Sequence, residues 1–293
     1  MLLSELTRFG VGGPVQELVD VYAEPQLLTA IEVPHVLIGG GSNLVCADEG
    51  YPGRVIRYRA SKIQIDGERV WVEAGAVLQD LVDATIAAGL RGLDTMTGIP
   101  GWVGGAVYGN AGAYGHSIHE RVVSVRYAEQ GAIHTATNLE CQFAYRESVF
   151  KQRKSRVIVA AELQLDRADA AELKASADKI LAIRNEKYPP SMRCAGSIFK
   201  NLILAELPAS VQSRVPAQVI REGKVPSAYF LDQVGVKGWK RGPIEVATYH
   251  ANLIYNTGGG SAHQIRELIE AMKARVLESF GLELEEEVQY IGA

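Results

Sequence analysis

The chain has 293 residues, 47% of them hydrophobic and 22% charged, with a formal net charge of -4. That length suits about two domains of roughly 100–200 residues each, with cores that need no metal or disulfide support. The mild acidity, with a pI of about 5.9, excludes the broad basic footprint of a nucleic-acid-binding protein.

Cys46, Cys141 and Cys194 are too far apart for a CxxC site and odd in number, which points to free thiols in a reducing, cytoplasmic setting. The six histidines form no HxxxH or HxH group, so no metal is expected. No apolar run is long enough for a membrane span, and the start, Met1 to Arg8, lacks the pattern of a signal peptide.

Gln16 to Tyr22, Val36 to Ile38 and Arg54 to Arg59 read as short strands rich in Val, Ile and Leu. Ile63 to Ile65 and Val70 to Val72 flank Asp66-Gly67, a strong hairpin signal. Leu78 to Leu90 has a helical period, with Leu78, Leu81, Val82, Thr85 and Ile86 on one face and Gly89 as its stop. A second hairpin joins Val122–Ala128 to Ala132–Thr137 through Gln130-Gly131, and Val157 to Leu165 reads as a strand.

Asp169 is placed to cap a charged helix that runs to Lys187 before Pro189-Pro190. Beyond it the pattern predicts a strand at Ser197–Lys200, a helix at Ser227–Val234 and a strand at His250–Tyr255. A long helix at Ala262–Phe280 and a terminal strand follow. Many hairpins with few helices indicate an α+β fold rather than a doubly wound parallel sheet.

Two glycine clusters stand outside these periods. Gly39-Gly40-Gly41-Ser42-Asn43 follows the second strand, and nine glycines fall between Gly89 and Gly115. Glycine loses more backbone freedom on folding than any other residue, so such runs do not serve stability. They let main-chain N–H groups approach a large phosphate-bearing or planar cofactor. The GxGxxG pattern of a dinucleotide-binding turn is absent, and Leu44 to Gly50 reads as a turn.

Tyr145-Arg146-Glu147-Ser148 offers a planar guanidinium suited to a carboxylate or phosphate, though an arginine between strands is commonly a solvated ion-pairing group. Ser197 follows Gly196 without a GxSxG elbow or a histidine partner, which argues against a hydrolase nucleophile. In Leu282 to Gly292, alternation turns Leu282, Leu284, Val288 and Tyr290 inward and leaves Glu283, Glu285 and Glu287 on a solvated acidic edge.

In this order the motifs closely resemble the UDP-N-acetylenolpyruvoylglucosamine reductase family. The resemblance runs from Thr7-Arg-Phe-Gly-Val-Gly-Gly13 through Gly39 to Asn43, Gly98-Ile-Pro-Gly101, Asn110-Ala-Gly-Ala-Tyr-Gly115 and Tyr145 to Ser148. It continues through Gly196-Ser-Ile-Phe-Lys-Asn201, His250-Ala-Asn-Leu-Ile-Tyr-Asn256 and Glu287-Val-Gln-Tyr-Ile-Gly292. It implies an FAD-binding domain of the vanillyl-alcohol-oxidase type at residues 1–166, in two α+β subdomains of about 1–59 and 60–166. A helical linker at 167–184 and a C-terminal α+β substrate-binding domain at 185–293 would follow.

The resemblance further implies that NADPH reduces bound FAD and leaves, and that the enolpyruvyl sugar nucleotide replaces it. Flavin N5 then gives a hydride to C3 and a proton is added at C2. By the same resemblance, Arg146 holds the substrate carboxylate, Glu287 assists as an acid and Ser197 delivers the proton. Gly39, Gly40, Gly41, Ser42, Asn43, Gly98, Ile99, Pro100, Gly101, Gly104, Gly105, Asn110, Ala111, Gly112 and Ala113 would line the cofactor. Tyr145, Lys187 and Asn201 would bind the substrate.

A monomer without nucleic-acid or membrane partners is expected. Trp102 stands where a small residue is common in the family, and Leu202 where proline is frequent. The compact stretch from Val157 to Ser197 lacks a tyrosine-bearing insertion and resembles the family's shorter form. Two rivals share the glycine loops: another oxidoreductase on the same FAD fold, and a non-catalytic nucleotide-binding protein.

Overall fold

A computed structural model describes residues 1–292, which form two compact units interleaved along the chain. The larger unit comprises Gln16–Gly40 and Gly53–Pro190; the smaller comprises Met1–Val15, Gly41–Pro52 and the chain from Ser191 on. This differs from the linear division expected at residues 1–166 and 185–293. The reason lies in pairing: Leu44–Cys46, read from sequence as a turn, is a strand parallel to the terminal strand Gln289–Ile291. The helix Ala170–Lys187, expected as a linker, instead belongs to the larger unit and buries Leu173 and Ala177 in its core.

In the larger unit a three-stranded sheet has the order Val15–Val21, Tyr51–Tyr58, His35–Leu37, the last two parallel with Val36 opposite Val55. A five-stranded antiparallel sheet has the order Ala132–Thr137, Val122–Glu129, Val157–Gln164, Arg69–Glu73, Ile63–Asp66. Both expected hairpins form. Gln130 and Gly131 take φ of 51° and 76°, as a type I′ turn requires, while Gly67 alone is left-handed in the other turn. The helix Leu78–Ala87 buries the five expected residues but stops short of Leu90, because Gly89 turns left-handed at φ 66° and Leu90–Arg91 pairs with Asp166–Arg167. Asp169 caps the charged helix through the Glu172 N–H at 2.9 Å.

In the smaller unit an antiparallel sheet has the order Arg193–Ser197, Leu253–Asn256, Ile244–Val246, Lys240–Arg241. The helix Ala262–Phe280 has the expected bounds. Ser261 and Gln264 form a capping box, Gly281 ends the helix at φ 67°, and Asp48 accepts from the N–H groups of Ala262 and His263 at 2.8 and 2.9 Å. Three strand boundaries differ from expectation. The first strand ends at Ser197 instead of beginning there, the next starts at Leu253 instead of His250, and only Gln289–Ile291 of the last segment is regular strand. The period-two burial of Leu282, Leu284 and Val288 nevertheless holds, with Tyr290 half-buried.

Candidate active site

In the larger unit the two glycine clusters meet. A Cβ placed on Gly40 would lie 3.1 Å from both the Gly101 Cα and the Trp102 ring. Gly101 holds φ at 119°, a conformation that L side chains rarely adopt. Among the described residues no group accepts the N–H of Gly39, Gly40, Gly101 or Gly105. Gly40 and Gly105 are exposed and Gly39 and Gly101 half-buried, so these main-chain donors are open to a ligand or to water. An array of unclaimed N–H groups on side-chain-free backbone fits the anionic pyrophosphate of a dinucleotide such as FAD. The Arg59 guanidinium lies over the Trp102 ring at 5.8 Å, adding positive charge beside the loops.

The second part of the 98–113 segment is used differently. Asn110, 4% exposed and at φ 43°, donates through Nδ2 to the Ala144 carbonyl at 2.8 Å and accepts the His119 N–H. Ala144 and Glu147 exchange both main-chain hydrogen bonds at 3.1 Å, closing a two-residue loop whose tips are Tyr145 and Arg146. The buried Ser148 hydroxyl donates to the Tyr108 carbonyl at 2.7 Å, and Arg146 Nη2 donates to the Gly112 carbonyl at 3.2 Å. Arg146 sits at φ 59° with its guanidinium 5.5 Å from the Tyr145 ring. The Asn110 and Tyr145 motifs, distant in sequence, thus form one body that fixes the arginine's base. Gly98 donates to Gln79 Oε1 at 2.7 Å, Ile99 donates to Met96, and Ala111 donates to Ala106. Gly104 donates to Ala74, while Pro100 is exposed and Ala113 pairs with His116. Lys187 ends the long charged helix, 5.1 Å from the Tyr188 ring.

The smaller unit brings Ser197 and Glu287 onto neighbouring extended segments. The Glu287 N–H donates to the Ile198 carbonyl at 2.7 Å, the Lys200 N–H donates to the Glu285 carbonyl at 2.9 Å, and Phe199 faces Glu286. Gly196, at φ 77°, and a bulge between Cys194 and Ser197 set the serine at the strand end. Glu287 is half-buried, unlike the exposed Glu283 and Glu285, so the solvated edge read from alternation does not extend to it. Glu286, in phase with Leu284 and Val288, is anchored by Lys273 at 2.9 Å and by the Tyr290 hydroxyl.

Gly41, Ser42 and Asn43 fall in this smaller unit, the chain passing from one unit to the other at Gly40–Gly41. Gly41 accepts from Arg8 at 3.0 Å, and Asn43 Nδ2 donates to the Glu287 carbonyl at 2.9 Å. Asn201 is half-buried just after Lys200.

Two residues that composition and periodicity did not single out stand behind this pair. Asn252, 2% exposed, accepts the Phe199 N–H at 2.9 Å and donates to the Phe199 carbonyl and to Ser227 Oγ. Lys200 is only 7% exposed and reaches Glu285 at 2.5 Å. Asn252 lies in the His250–Asn256 segment, and its spacing carries no local signal of a bond to Phe199.

Residues 15–136 match the family described as FAD binding domain, and residues 188–291 match UDP-N-acetylenolpyruvoylglucosamine reductase, C-terminal domain. With the donor-lined glycine loops, these matches define an α+β, FAD-containing oxidoreductase. A UDP-N-acetylenolpyruvoylglucosamine reductase of Solibacter usitatus is 51% identical over 99% of this chain and 95% of its own length. One of Bacillus subtilis is 33% identical over 99% and 92%. The crystal structure of the corresponding enzyme from Thermus caldophilus superposes with a TM-score of 0.81 at 31% identity, covering 99% of this chain and 97% of that one. The chain belongs to the UDP-N-acetylenolpyruvoylglucosamine reductase family. No helix among the described residues is long and apolar enough to cross a membrane, and no described cluster of His, Cys, Asp and Glu could hold a metal.

Proposed function

We propose that this protein converts UDP-N-acetylglucosamine enolpyruvate to UDP-N-acetylmuramate with NADPH as reductant, as a cytoplasmic, monomeric step of peptidoglycan precursor synthesis. Bound FAD supplies the two-electron chemistry, as acceptor of hydride from NADPH and donor of hydride to C3 of the enolpyruvyl group. The main-chain donors of Gly39, Gly40, Gly101 and Gly105 would hold its pyrophosphate. Tyr145, Lys187 and Asn201 would bind the sugar nucleotide.

Reduction at C3 leaves electron density at C2, delocalised into the adjacent carboxylate. Arg146 neutralises that carboxylate through its planar fork, and Glu287 assists as an acid. Ser197 delivers the proton to C2. A serine hydroxyl is a weak acid, and this role works because the developing carbanion is a strong base and the donor's position is fixed. The observation that carries the reading is the main-chain bond from Glu287 to Ile198, beside Ser197, in a chain that matches the family over nearly its whole length.

The test is anaerobic and in two halves. NADPH should bleach the flavin, and the enolpyruvyl sugar nucleotide should restore its colour with a solvent-derived hydrogen at C2. Arg146→Lys keeps the charge but loses the fork, so it should slow the second half far more than the first. Re-oxidation by simple alcohols or sugar acids but not by the enolpyruvyl nucleotide would favour the rival oxidoreductase, and no bleaching by NADPH would favour a non-catalytic binder.

A further inference from the structure

Both main-chain groups of Glu287 are claimed by neighbours in the smaller unit. Its N–H donates to the Ile198 carbonyl at 2.7 Å, and its carbonyl accepts from Asn43 Nδ2 at 2.9 Å. Asn43 also accepts, through its own main-chain carbonyl, the Gln289 N–H at 2.9 Å. One residue therefore grips the chain on both sides of Val288, which is itself 2% exposed.

The parallel pairing of Gln289–Ile291 with Leu44–Cys46 begins at Gln289 opposite Leu44 and leaves the Glu287 carbonyl beyond the ladder. The asparagine side chain supplies the shorter of the two donors that stand in for the ladder, at 2.9 Å, the other being Gln289 Nε2 at 3.4 Å. With N–H and carbonyl both fixed, the direction of the Glu287 Cα–Cβ bond is set, and only side-chain torsions remain to place the carboxyl group.

From this geometry we infer that Asn43 is a positioning residue for Glu287, acting on the protonation half-reaction, and not principally a cofactor ligand. The inference rests on the catalytic reading of Glu287 given above. It also gives the Gly39–Asn43 loop a second task. Its first glycines present unclaimed N–H groups, while its last residue aims the acid. Mispositioning a reacting group by about 1 Å can slow a reaction roughly a hundredfold.

The test uses the FAD-loaded enzyme and measures NADPH-driven flavin reduction, re-oxidation by the enolpyruvyl sugar nucleotide, and retained FAD. Asn43→Ala should slow re-oxidation by about 10–100-fold while leaving reduction and FAD content near wild type. Asn43→Asp keeps the shape but, ionised, cannot donate, so it should behave alike and stands in where the alanine variant fails to fold. A double-mutant cycle separates positioning from general support. In a Glu287→Gln background, Asn43→Ala should slow re-oxidation by less than about threefold further.

An unchanged rate in Asn43→Ala overturns the inference. So does loss of FAD or an equally slowed reduction, which would make Asn43 a cofactor residue, and so does a full additive loss in the double variant. Wild-type re-oxidation by Glu287→Gln would instead sink the catalytic reading of Glu287, and the inference with it.

Discussion

The side-chain amide of Asn252 closes a ring on Phe199, accepting its N–H and donating to its carbonyl, both at 2.9 Å. A side chain thereby does for one residue what an adjacent strand would do. The residue it holds lies two places after Ser197, whose neighbour Ile198 also donates to the Asn252 main-chain carbonyl at 3.1 Å. The Asn252 Nδ2 group reaches Ser227 Oγ as well, so a fully buried polar network braces the segment from behind.

Asn252→Ala should therefore destabilise the protein well beyond a surface change. It leaves the Phe199 N–H without its acceptor in a buried site, and each such orphan costs about 1–3 kcal/mol. Asn252→Asp keeps that acceptor but turns a buried carboxylate oxygen toward the Phe199 carbonyl in place of a donor, so it should destabilise as well. Urea unfolding followed by fluorescence checks the order: wild type most stable, with both variants clearly below it. Equal midpoints for Asn252→Ala and wild type would mean that the network contributes nothing.

Glu285 and Glu287 should separate stability from turnover. Glu285 meets the nearly buried Lys200 at 2.5 Å, but its own side chain is 70% exposed. Pairs with an exposed partner are screened and contribute about 0–1 kcal/mol. Glu285→Gln should lower stability slightly and leave turnover near wild type. Glu287→Gln should do the reverse, slowing turnover by about 100-fold or more with NADPH-driven flavin reduction intact. Steady-state rates with thermal denaturation of both variants decide it, and a slow Glu285→Gln beside a normal Glu287→Gln would move the acid to the other position.

Much of the fold was legible because it is local. Ser261, the 3.6-residue period and Gly281 delimit the long helix, and Gln130-Gly131 takes the left-handed turn its composition calls for. Leu44–Cys46 was not legible, since its partner strand lies at the opposite end of the chain and nothing near Cys46 signals it. The interleaved units were missed for the same reason.

The chemistry at Arg146, Ser197 and Glu287 came from resemblance, not from spacing; alternation alone had put Glu287 in solvent. What holds these residues is less legible still. Asn43, Asn110 and Asn252 act through hydrogen bonds from their side-chain amides to main chain far away in sequence, and an asparagine in a loop carries no mark of which carbonyl it will meet.

Gly101→Ala tests the cofactor loops. At φ 119° an alanine is strained whatever space surrounds it, a conformation worth roughly 1–3 kcal/mol. The loop should shift and the unclaimed N–H groups of Gly39, Gly40 and Gly101 should lose their shared alignment. The expected result is weaker FAD retention on dialysis with little change in far-ultraviolet circular dichroism. Gly131→Ala, at φ 76° in a hairpin far along the chain, controls for strain alone and should keep its FAD. Equal retention of FAD by both variants would exclude the loop from the cofactor site.

The thiols give the molecule a defined alkaline weakness. Cys46 and Cys141 are fully buried, and burial pushes each thiol up to about 12. The thiolate is the reactive form, so neither should react with a disulfide reagent at pH 8 in the native protein, and both should react once urea unfolds it. The same shift fixes the sign of the pH dependence. In the unfolded chain a thiol ionises near 8.5, so between about 9 and 12 the unfolded state has lost protons that the folded state keeps. Stability from these groups is complete below the unfolded value and declines as pH rises toward the folded one. The phenols of Tyr108 and Tyr255, raised first of all by burial, act in the same direction. The urea midpoint should therefore fall between pH 8 and pH 10.5, and Cys46→Ala, whatever its stability at pH 8, should show a shallower fall. A midpoint that rises over this range, or an equal slope in Cys46→Ala, would mean that the buried thiol does not govern it.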